Sequence, residues 1–246
     1  MLRRHRLLLL ALPFLGSVRA EPAGSGLRWV GGDLPPFVWQ GQNGPQGYAY
    51  ELALTMAQKL GRKPLVEFFP WARAVKMAQE EADIGIFPLA RTPDREDSFR
   101  WLIPLTRVHY SLFVQNGPEP LPSMEQLRTQ RIVVLRGSPI IKNLQAAGFT
   151  QISEGKDYKD MLRRVQLGMA TAAYAGAPML QAAIEEFGFR AADFRVAASL
   201  GEAELYMATS LRLPSDEARL WQASYRELVQ DGTVARLQRK YQISAQ

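Results

Sequence analysis

Arg95 is the side chain best suited by type and position to bind a small anion. It ends the run Arg91-Thr92-Pro93-Asp94-Arg95, which follows an apolar, strand-like segment at residues 84–88. Open α/β sheets bind ligands at the carboxyl ends of their strands, and a guanidinium there can hold a carboxylate through two parallel hydrogen bonds. The same arginine could instead pair at the surface with Asp94 or Glu96, and the sequence leaves both interpretations open.

The segment Gly137-Ser138-Pro139 is a second candidate for anion binding. It follows a strand-like run at residues 131–135, and serine then proline suit the N-cap and first position of a helix. A helix N-terminus offers unpaired N–H groups and the positive end of a dipole. Ordinary helix capping explains the same pattern, but the neighbouring Arg136 adds positive charge. We therefore place Arg136, Gly137 and Ser138 with Arg95 among the candidate ligand-binding residues.

Aromatic side chains also follow two of the predicted strands. Trp71 begins a helical segment after Phe69-Pro70, and Phe37 and Trp39 come after Pro35-Pro36. Such rings can stack on an apolar or planar part of a ligand. They can equally pack in the core or at the rim of a lobe.

Residues suited to catalysis or metal binding are scarce. The chain has no cysteine and two histidines, His5 and His109, so cysteine catalysis and disulfides are excluded. A strand position in the aromatic, apolar run 108–114 accounts for His109, and no paired carboxylates suited to acid–base chemistry are evident. We expect no catalytic residues, no metal, no cofactor and no enzymatic activity.

Residues 1–20 have the pattern of a secretory signal peptide. A basic start precedes an apolar run at residues 7–15 and a small-residue cleavage site at Val18-Arg19-Ala20. The run is shorter than the roughly 20 residues that span a bilayer. Cleavage would remove four of the 30 basic residues and leave 26 against 24 acidic ones, so we expect no nucleic-acid partner. We expect a soluble periplasmic protein without a lipid anchor, because no cysteine follows the apolar run.

Short β-branched or aromatic runs alternate with segments of helical periodicity, which is typical of an α/β fold. The pattern restarts after a loop rich in glycine and proline at residues 116–122. We predict two lobes, residues 21–109 plus 204–246 and residues 110–203, with a ligand cleft between them. Strands are predicted at residues 27–31, 65–69, 84–88, 108–115, 131–135, 171–174 and 204–210. Helices are predicted at residues 52–60, 71–81, 139–147, 157–167, 177–187, 215–230 and 233–241.

Short motifs spread over residues 25–243 resemble the type 2 periplasmic solute-binding proteins, in particular the polar amino-acid ABC-transporter binding proteins of solute-binding family 3. The resemblance implies a two-lobed periplasmic binding protein fold of type II, the Venus flytrap, with its ligand between the lobes. The motifs are Pro36-Phe37, Gly47-Tyr48-Ala49-Tyr50-Glu51-Leu52, Ala82-Asp83-Ile84, Thr92-Pro93-Asp94-Arg95, Phe99, Pro104, Gly137-Ser138, Gly168, Asp231-Gly232-Thr233 and Lys240-Tyr241.

In that family an arginine at this position binds the ligand α-carboxylate, so the resemblance implies this role for Arg95. It also implies that Gly137 and Ser138 help to bind the same carboxylate. Three positions depart from the family pattern. Ala90 stands where the family has serine or threonine, Gly176 where it has the aspartate that binds the ligand ammonium, and Leu34 where it has a stacking aromatic. An ammonium buried without a partner is costly, so an organic acid or another anionic ligand is favoured as much as an amino acid.

These observations predict a monomeric protein that captures a small carboxylate-bearing solute and closes on it by hinges near residues 106–112 and 200–206. An ABC permease would read the closed form. The alternative is a ligand-sensing periplasmic protein for a sensor kinase or an adaptor. Periplasmic dehydratases and lytic transglycosylases share the fold, and an enzyme of that kind is the last alternative.

Overall fold

The computed structural model describes residues 27–244, and these residues form the predicted α/β fold. The predicted signal peptide and its cleavage site lie outside the described residues. The strands are β1 (Arg28–Gly31), β2 (Trp39–Gly41), β3 (Gly44–Gln46), β4 (Leu65–Phe68), β5 (Ile84–Ala90), β6 (Arg100–Gln115), β7 (Arg131–Leu135), β8 (Gln151–Gly155), β9 (Ala172–Gly176) and β10 (Phe194–Thr209). The helices are α1 (Tyr48–Lys59), α2 (Trp71–Glu80), α3 (Met124–Arg128), α4 (Ile141–Ala146), α5 (Tyr158–Gln166), α6 (Ala177–Glu186), α7 (Ser215–Gln230) and α8 (Thr233–Lys240).

Eight of these strands form one mixed sheet in the order β4-β1-β5-β10-β6-β9-β7-β8, while β2 and β3 pair as a separate hairpin. The central strands β6 and β10 have 16 residues each and run antiparallel. β4, β1 and β5 lie on one side of this pair as a parallel group, and β9, β7 and β8 form a second parallel group on the other. The first half of the sheet below means β4, β1 and β5 with their helices, and the second half means β9, β7 and β8 with theirs.

The chain passes between the two halves along β6 and β10. The predicted lobe boundaries, at residues 109/110 and 203/204, fall inside these strands and stay a prediction. Pairing along β10 is irregular between Ser199 and Glu202, where Gly201 adopts a left-handed conformation with φ of 79°. A register break next to a glycine weakens the ladder within the predicted hinge region.

Three differences from the predicted elements have a common cause in strand pairing. β6 and β10 extend well beyond the predicted segments 108–115 and 204–210, because each strand pairs along the full length of the other. β8 was not predicted, since its sequence Gln-Ile-Ser-Glu-Gly is largely polar and it lies at the sheet edge beside β7. Pairing with a distant strand therefore sets these bounds, and local composition does not.

The core of the first half packs aromatic rings against the sheet. Trp29 lies 5.3 Å from both Phe87 and Trp221, measured between ring centroids. The predicted apolar face of α1 is buried at Leu52, Ala53, Met56 and Ala57. Among residues 27–244, no helix combines the length and the apolar character needed to cross a membrane.

Candidate ligand-binding site

A cavity between the two halves of the sheet brings together most of the predicted site residues. Its volume is about 30 Å³, well below the roughly 300–1,000 Å³ of typical small-molecule sites, so a solute would enter only when the two halves separate. The first half contributes residues from the ends of β1 and β5 and the start of α2, and the second half contributes residues after β7 and β9. The predicted residues that line it are Leu34, Trp71, Ala90, Arg95, Ser138 and Gly176.

Arg95 reaches this cavity from a short 3-10 helix, Pro93–Ser98, that follows β5. Only 7% of the residue is exposed. Its Nη2 donates a hydrogen bond of 3.0 Å to the Gly137 carbonyl in the second half, and its Nη1 makes a longer contact of 3.4 Å to the Ala90 carbonyl. Within residues 27–244 no carboxylate pairs with Arg95, so the guanidinium is buried without a counterion.

The two acidic neighbours that could have paired with Arg95 are engaged elsewhere. Asp94 lies 2.5 Å from the Lys142 ammonium, and Glu96 accepts a hydrogen bond of 2.9 Å from Arg91. The surface ion pair considered from the sequence is therefore absent from this part of the structure.

Burial lowers the pKa of Arg95 to about 10, because desolvation penalises the charged form. The guanidinium remains charged at neutral pH. A buried charge without a partner is costly, and an anion in the cavity would relieve that cost with charge-assisted hydrogen bonds.

Three tyrosines that line the cavity were not predicted from the sequence: Tyr110, Tyr158 and Tyr174. Burial raises the pKa of each above its usual value, for Tyr174 to about 12, so all three hydroxyls keep their protons at neutral pH. Tyr174 donates to the Leu200 carbonyl, and Tyr158 lies 3.7 Å from the sulfur of Met179. No protein group among residues 27–244 hydrogen-bonds to the Tyr110 hydroxyl.

One signal in the sequence could have identified Tyr110. It is adjacent to His109 on β6, and successive side chains of a strand point to opposite faces. His109 is exposed and lies 3.4 Å from Glu202, whereas Tyr110 lines the cavity. The alternation of side chains along the strand therefore indicated that Tyr110, next to an exposed His109, faces inward.

Gly137 and Ser138 form a turn, which corrects the prediction that Ser138 caps a helix. The Ser138 N–H donates to the Leu135 carbonyl at 3.0 Å, and Gly137 is left-handed with φ of 80°. α4 begins only at Ile141, because this tight turn must first reverse the chain. Gly137 contributes its carbonyl to Arg95, while Ser138 lines the cavity beside it.

The turn at Gly137 also joins the two halves of the sheet. A Cβ at Gly137 would lie 2.8 Å from the Ala72 Cα of the opposite half. Glycine is required here both for its φ and for this close approach.

Apart from Gly137, which meets Arg95 through its carbonyl but is not part of the lining, two predicted site residues lie outside the cavity. Phe37 is fully buried in the core, where its ring packs 6.4 Å from that of Tyr48. The Arg136 side chain is 60% exposed and lies 3.4 Å from Glu154. Proline-rich turns after β1 direct Phe37 inward, and the turn before Gly137 directs Arg136 to solvent, so neither side chain lines the site.

The three positions that depart from the family pattern, Leu34, Ala90 and Gly176, all line the cavity. Among the described residues, no aspartate or glutamate does so. The site therefore combines one cation and several hydroxyl groups with apolar walls and has no carboxylate to pair with an ammonium group.

A curated relative corrects one prediction. Over 163 residues the chain is 28% identical to the membrane-bound lytic murein transglycosylase F of Ectopseudomonas mendocina (strain ymp), a stretch that covers 63% of this chain and 33% of that protein. This chain thus matches about a third of the relative's length. The prediction that the chain is not an enzyme is contradicted by this finding, because a protein named for a lytic activity contains a similar region.

Solved structures confirm the predicted two-lobed fold. A mutant of the arginine-binding protein of T. maritima superposes with a TM-score of 0.77 at 18% identity, covering 89% of this chain and 96% of that one. A histidine kinase sensor domain with similarity to periplasmic binding proteins gives a TM-score of 0.77 at 19% identity, covering 87% and 95%. At this identity the likeness establishes the fold alone.

The family follows from a match over nearly all of the described chain. The model of the bacterial extracellular solute-binding proteins, family 3, matches residues 29–244, which include both halves of the sheet and the cavity between them. The chain belongs to the bacterial extracellular solute-binding proteins of family 3.

Proposed function

We propose that this protein captures a small carboxylate-bearing solute in the periplasm and presents it to an ABC permease. The observation that carries the proposal is the Arg95 guanidinium, which is buried in the cavity without a counterion. Burying an unpaired charge costs free energy, and an anion bound to Arg95 would offset that cost.

A carboxylate in the cavity would have donors from both halves of the sheet. One or two Nη–H groups of Arg95 would bind it from the first half, and the free hydroxyl of Tyr110 and that of Ser138 lie on the same lining. Hydrogen bonds to charged groups contribute about 1.5–3 kcal/mol each. Several of them, with apolar contacts to Trp71 and Leu34, approach the roughly 8 kcal/mol of micromolar binding.

Ligand binding would favour the closed arrangement of the two halves. Arg95 and Gly137 belong to opposite halves and are joined by a 3.0 Å hydrogen bond, so a ligand held by Arg95 is also next to the second half. The membrane partner would recognise this closed form, and the binding protein would act as a monomer.

Sensing is the second candidate function. The observation that favours it is the histidine kinase sensor domain, of which this fold covers 95%. A region similar to this chain also occurs within a protein named as a transglycosylase, so domains of this kind are found in proteins named as enzymes. In both settings the same cavity would bind the solute, and only the partner that reads the closed form would differ.

The proposal is tested by a thermal-shift screen of amino acids and organic acids against wild-type protein, Arg95→Ala and Arg91→Ala, preceded by native mass spectrometry for co-purified ligand. We expect a carboxylate to raise the melting temperature of wild type and of Arg91→Ala, with no rise for Arg95→Ala. Equal shifts for all three proteins, or none from any carboxylate, would remove Arg95 from the site.

A further inference from the structure

A bulge in β10 lies directly behind the wall of the cavity. β10 pairs with β6 up to residue 199 and again from residue 202, whereas β6 advances only from 111 to 109 over the same stretch. Leu200 and Gly201 therefore lie opposite a single residue of β6, Tyr110. Because Tyr110 lines the cavity, the bulge and the candidate ligand site meet at this side chain.

The hydroxyl of Tyr174 binds the bulge from the second half of the sheet. Tyr174 is a fully buried residue of β9 that lines the cavity, and its hydroxyl donates a hydrogen bond to the Leu200 carbonyl. A bulge interrupts the ladder of main-chain hydrogen bonds, and a buried carbonyl without a donor is costly. A side chain of the ligand site therefore satisfies the main chain of the bulge.

Asn143 of α4 lies against the same bulge. A Cβ at Gly201 would lie 3.1 Å from the Asn143 Nδ2 and 3.7 Å from the Tyr174 hydroxyl oxygen. The left-handed φ of 79° at Gly201 favours glycine there. α4 follows the turn at Gly137, whose carbonyl accepts the hydrogen bond from Arg95. The element next to the bulge is thus also connected to the contact between the two halves.

Side-chain pairs between β6 and β10 flank the bulge on both sides. The hydroxyls of Ser111 and Ser199 lie 2.9 Å apart, and Arg107 lies 3.1 Å from Glu202. These pairs belong to stretches where the two strands are in register. A change in the angle between the halves is absorbed most easily where pairing is interrupted, so we expect β10 to bend between these two pairs.

We propose that Tyr174 is a positioning residue of the hinge, whose hydroxyl holds the Leu200–Gly201 bulge in the conformation that keeps the two halves together. The inference deepens the proposed function and rests on it for one point, that the solute is held between the halves. When the halves separate to admit a solute, β10 bends at Gly201 and the Leu200 carbonyl moves away from Tyr174. A side chain that lines the cavity thus sets how easily the halves separate.

Distances between the halves, measured without ligand by pulsed electron paramagnetic resonance, test this role. The chain has no cysteine, so spin labels on Lys76→Cys in α2 and Lys159→Cys in α5 report on opposite halves, and both positions are exposed. Tyr174→Phe removes the hydroxyl and keeps the ring. Its control, Ser224→Ala, removes a buried hydroxyl that donates to the Met56 carbonyl within the first half.

We expect the population with separated halves to rise roughly fivefold in Tyr174→Phe, since loss of one buried hydrogen bond shifts an equilibrium by about that factor. Ser224→Ala should keep the wild-type population. Amide hydrogen exchange should also quicken at least about fivefold at residues 199–203 in Tyr174→Phe, with the amides of β7 unchanged. A general loss of stability would accelerate exchange in β7 as well, and that result would make Tyr174 a merely structural residue.

Gly201→Ala provides an independent variant that leaves the Tyr174 hydroxyl in place. Its Cβ would press on Asn143, and Gly188→Ala is the control, because Gly188 has a similar φ of 76° with open space around an added Cβ. We expect Gly201→Ala to increase the separated population and Gly188→Ala to leave it unchanged. Equal populations for both glycine variants would remove the bulge from the hinge.

The outcomes distinguish this inference from the proposed function. Identical distances in wild type and Tyr174→Phe, or the same change in Ser224→Ala, would overturn the hinge role of Tyr174 and leave the Arg95 site untouched, since these samples contain no ligand. Failure of Arg95→Ala to alter the thermal shifts from carboxylates would overturn the ligand site and leave the effect of Tyr174→Phe on separation standing. Melting curves verify that each variant is folded.

Discussion

Arg91 and Arg95 stand four residues apart and have opposite environments. Arg91 is exposed, forms two hydrogen bonds with Glu96, and lies 5.5 and 5.4 Å from the ring centroids of Trp101 and Tyr206. Arg95 is buried, and its only hydrogen-bond partners in the described chain are carbonyl groups. The comparison shows that the exposed arginine is paired within the fold, whereas the buried one has no counterion among residues 27–244.

The hydrogen bonds that Arg91 donates to Glu96 raise the pKa of Arg91, whereas burial lowers the pKa of Arg95 to about 10. Because folding lowers the pKa of this base, charged Arg95 opposes folding at every pH below about 10, neutral pH included. The protein thus keeps a destabilising charge at the place where an anion would bind.

The largest expected effect follows from replacing each arginine with methionine, which removes the charge and keeps an apolar side chain. Without ligand, Arg95→Met should raise the free energy of unfolding by about 1–3 kcal/mol, since a buried unpaired charge is removed. Arg91→Met should lower it by at most about 1 kcal/mol, because an exposed ion pair contributes little. Urea denaturation at pH 7 measures both. A loss of several kcal/mol in Arg95→Met would make Arg95 a structural residue instead.

An intermediate effect is expected from Gly137→Ala. The added Cβ would press on Ala72, 2.8 Å from its Cα, and hold the two halves apart. We expect ligand affinity to fall about tenfold, or roughly 1.4 kcal/mol, and the radius of gyration with ligand to increase in X-ray scattering.

Gly168→Ala is the control for that substitution. Gly168 has a similar left-handed φ of 68°, but an added Cβ there would meet open space. Gly168→Ala therefore introduces the backbone strain without a contact that separates the two halves. The same loss of affinity in both variants would mean that strain, and not contact between the halves, is responsible.

The smallest effect is expected from the rim pair between Lys142 and Asp94, which joins the two halves at the surface. Lys142→Ala should weaken ligand binding by about 0.5 kcal/mol or less, and the difference should vanish at high salt. Lys76→Ala removes a comparable exposed pair within α2 and should leave affinity unchanged. Ligand titrations at two salt concentrations distinguish the variants. A tenfold loss of affinity in Lys142→Ala would mean that the pair between Lys142 and Asp94 contributes substantially to the closed arrangement.

Regular elements with strong local patterns were predicted closely from the chain. β7 and α7 have the predicted bounds, residues 131–135 and 215–230, because the apolar spacing that defines them acts within a few residues of sequence. The polar edge strand β8 and the full length of β6 and β10 could not be predicted in this way, since each depends on pairing with a strand far along the chain.

In the candidate site, too, local sequence predicted some features and contacts between distant residues decided the others. Residue type and position after β5 were enough to select Arg95, and the departures at Ala90, Leu34 and Gly176 were visible in the residues themselves. The chain alone could not say that Asp94 and Glu96 bind other partners or that Tyr110 faces Arg95. The pair between Asp94 and Lys142 depends on packing between the two halves, as does the contact between Arg95 and Gly137, 42 residues apart. Local sequence encodes the chemistry of a side chain, but the partners left to it are set by the folded contacts around it.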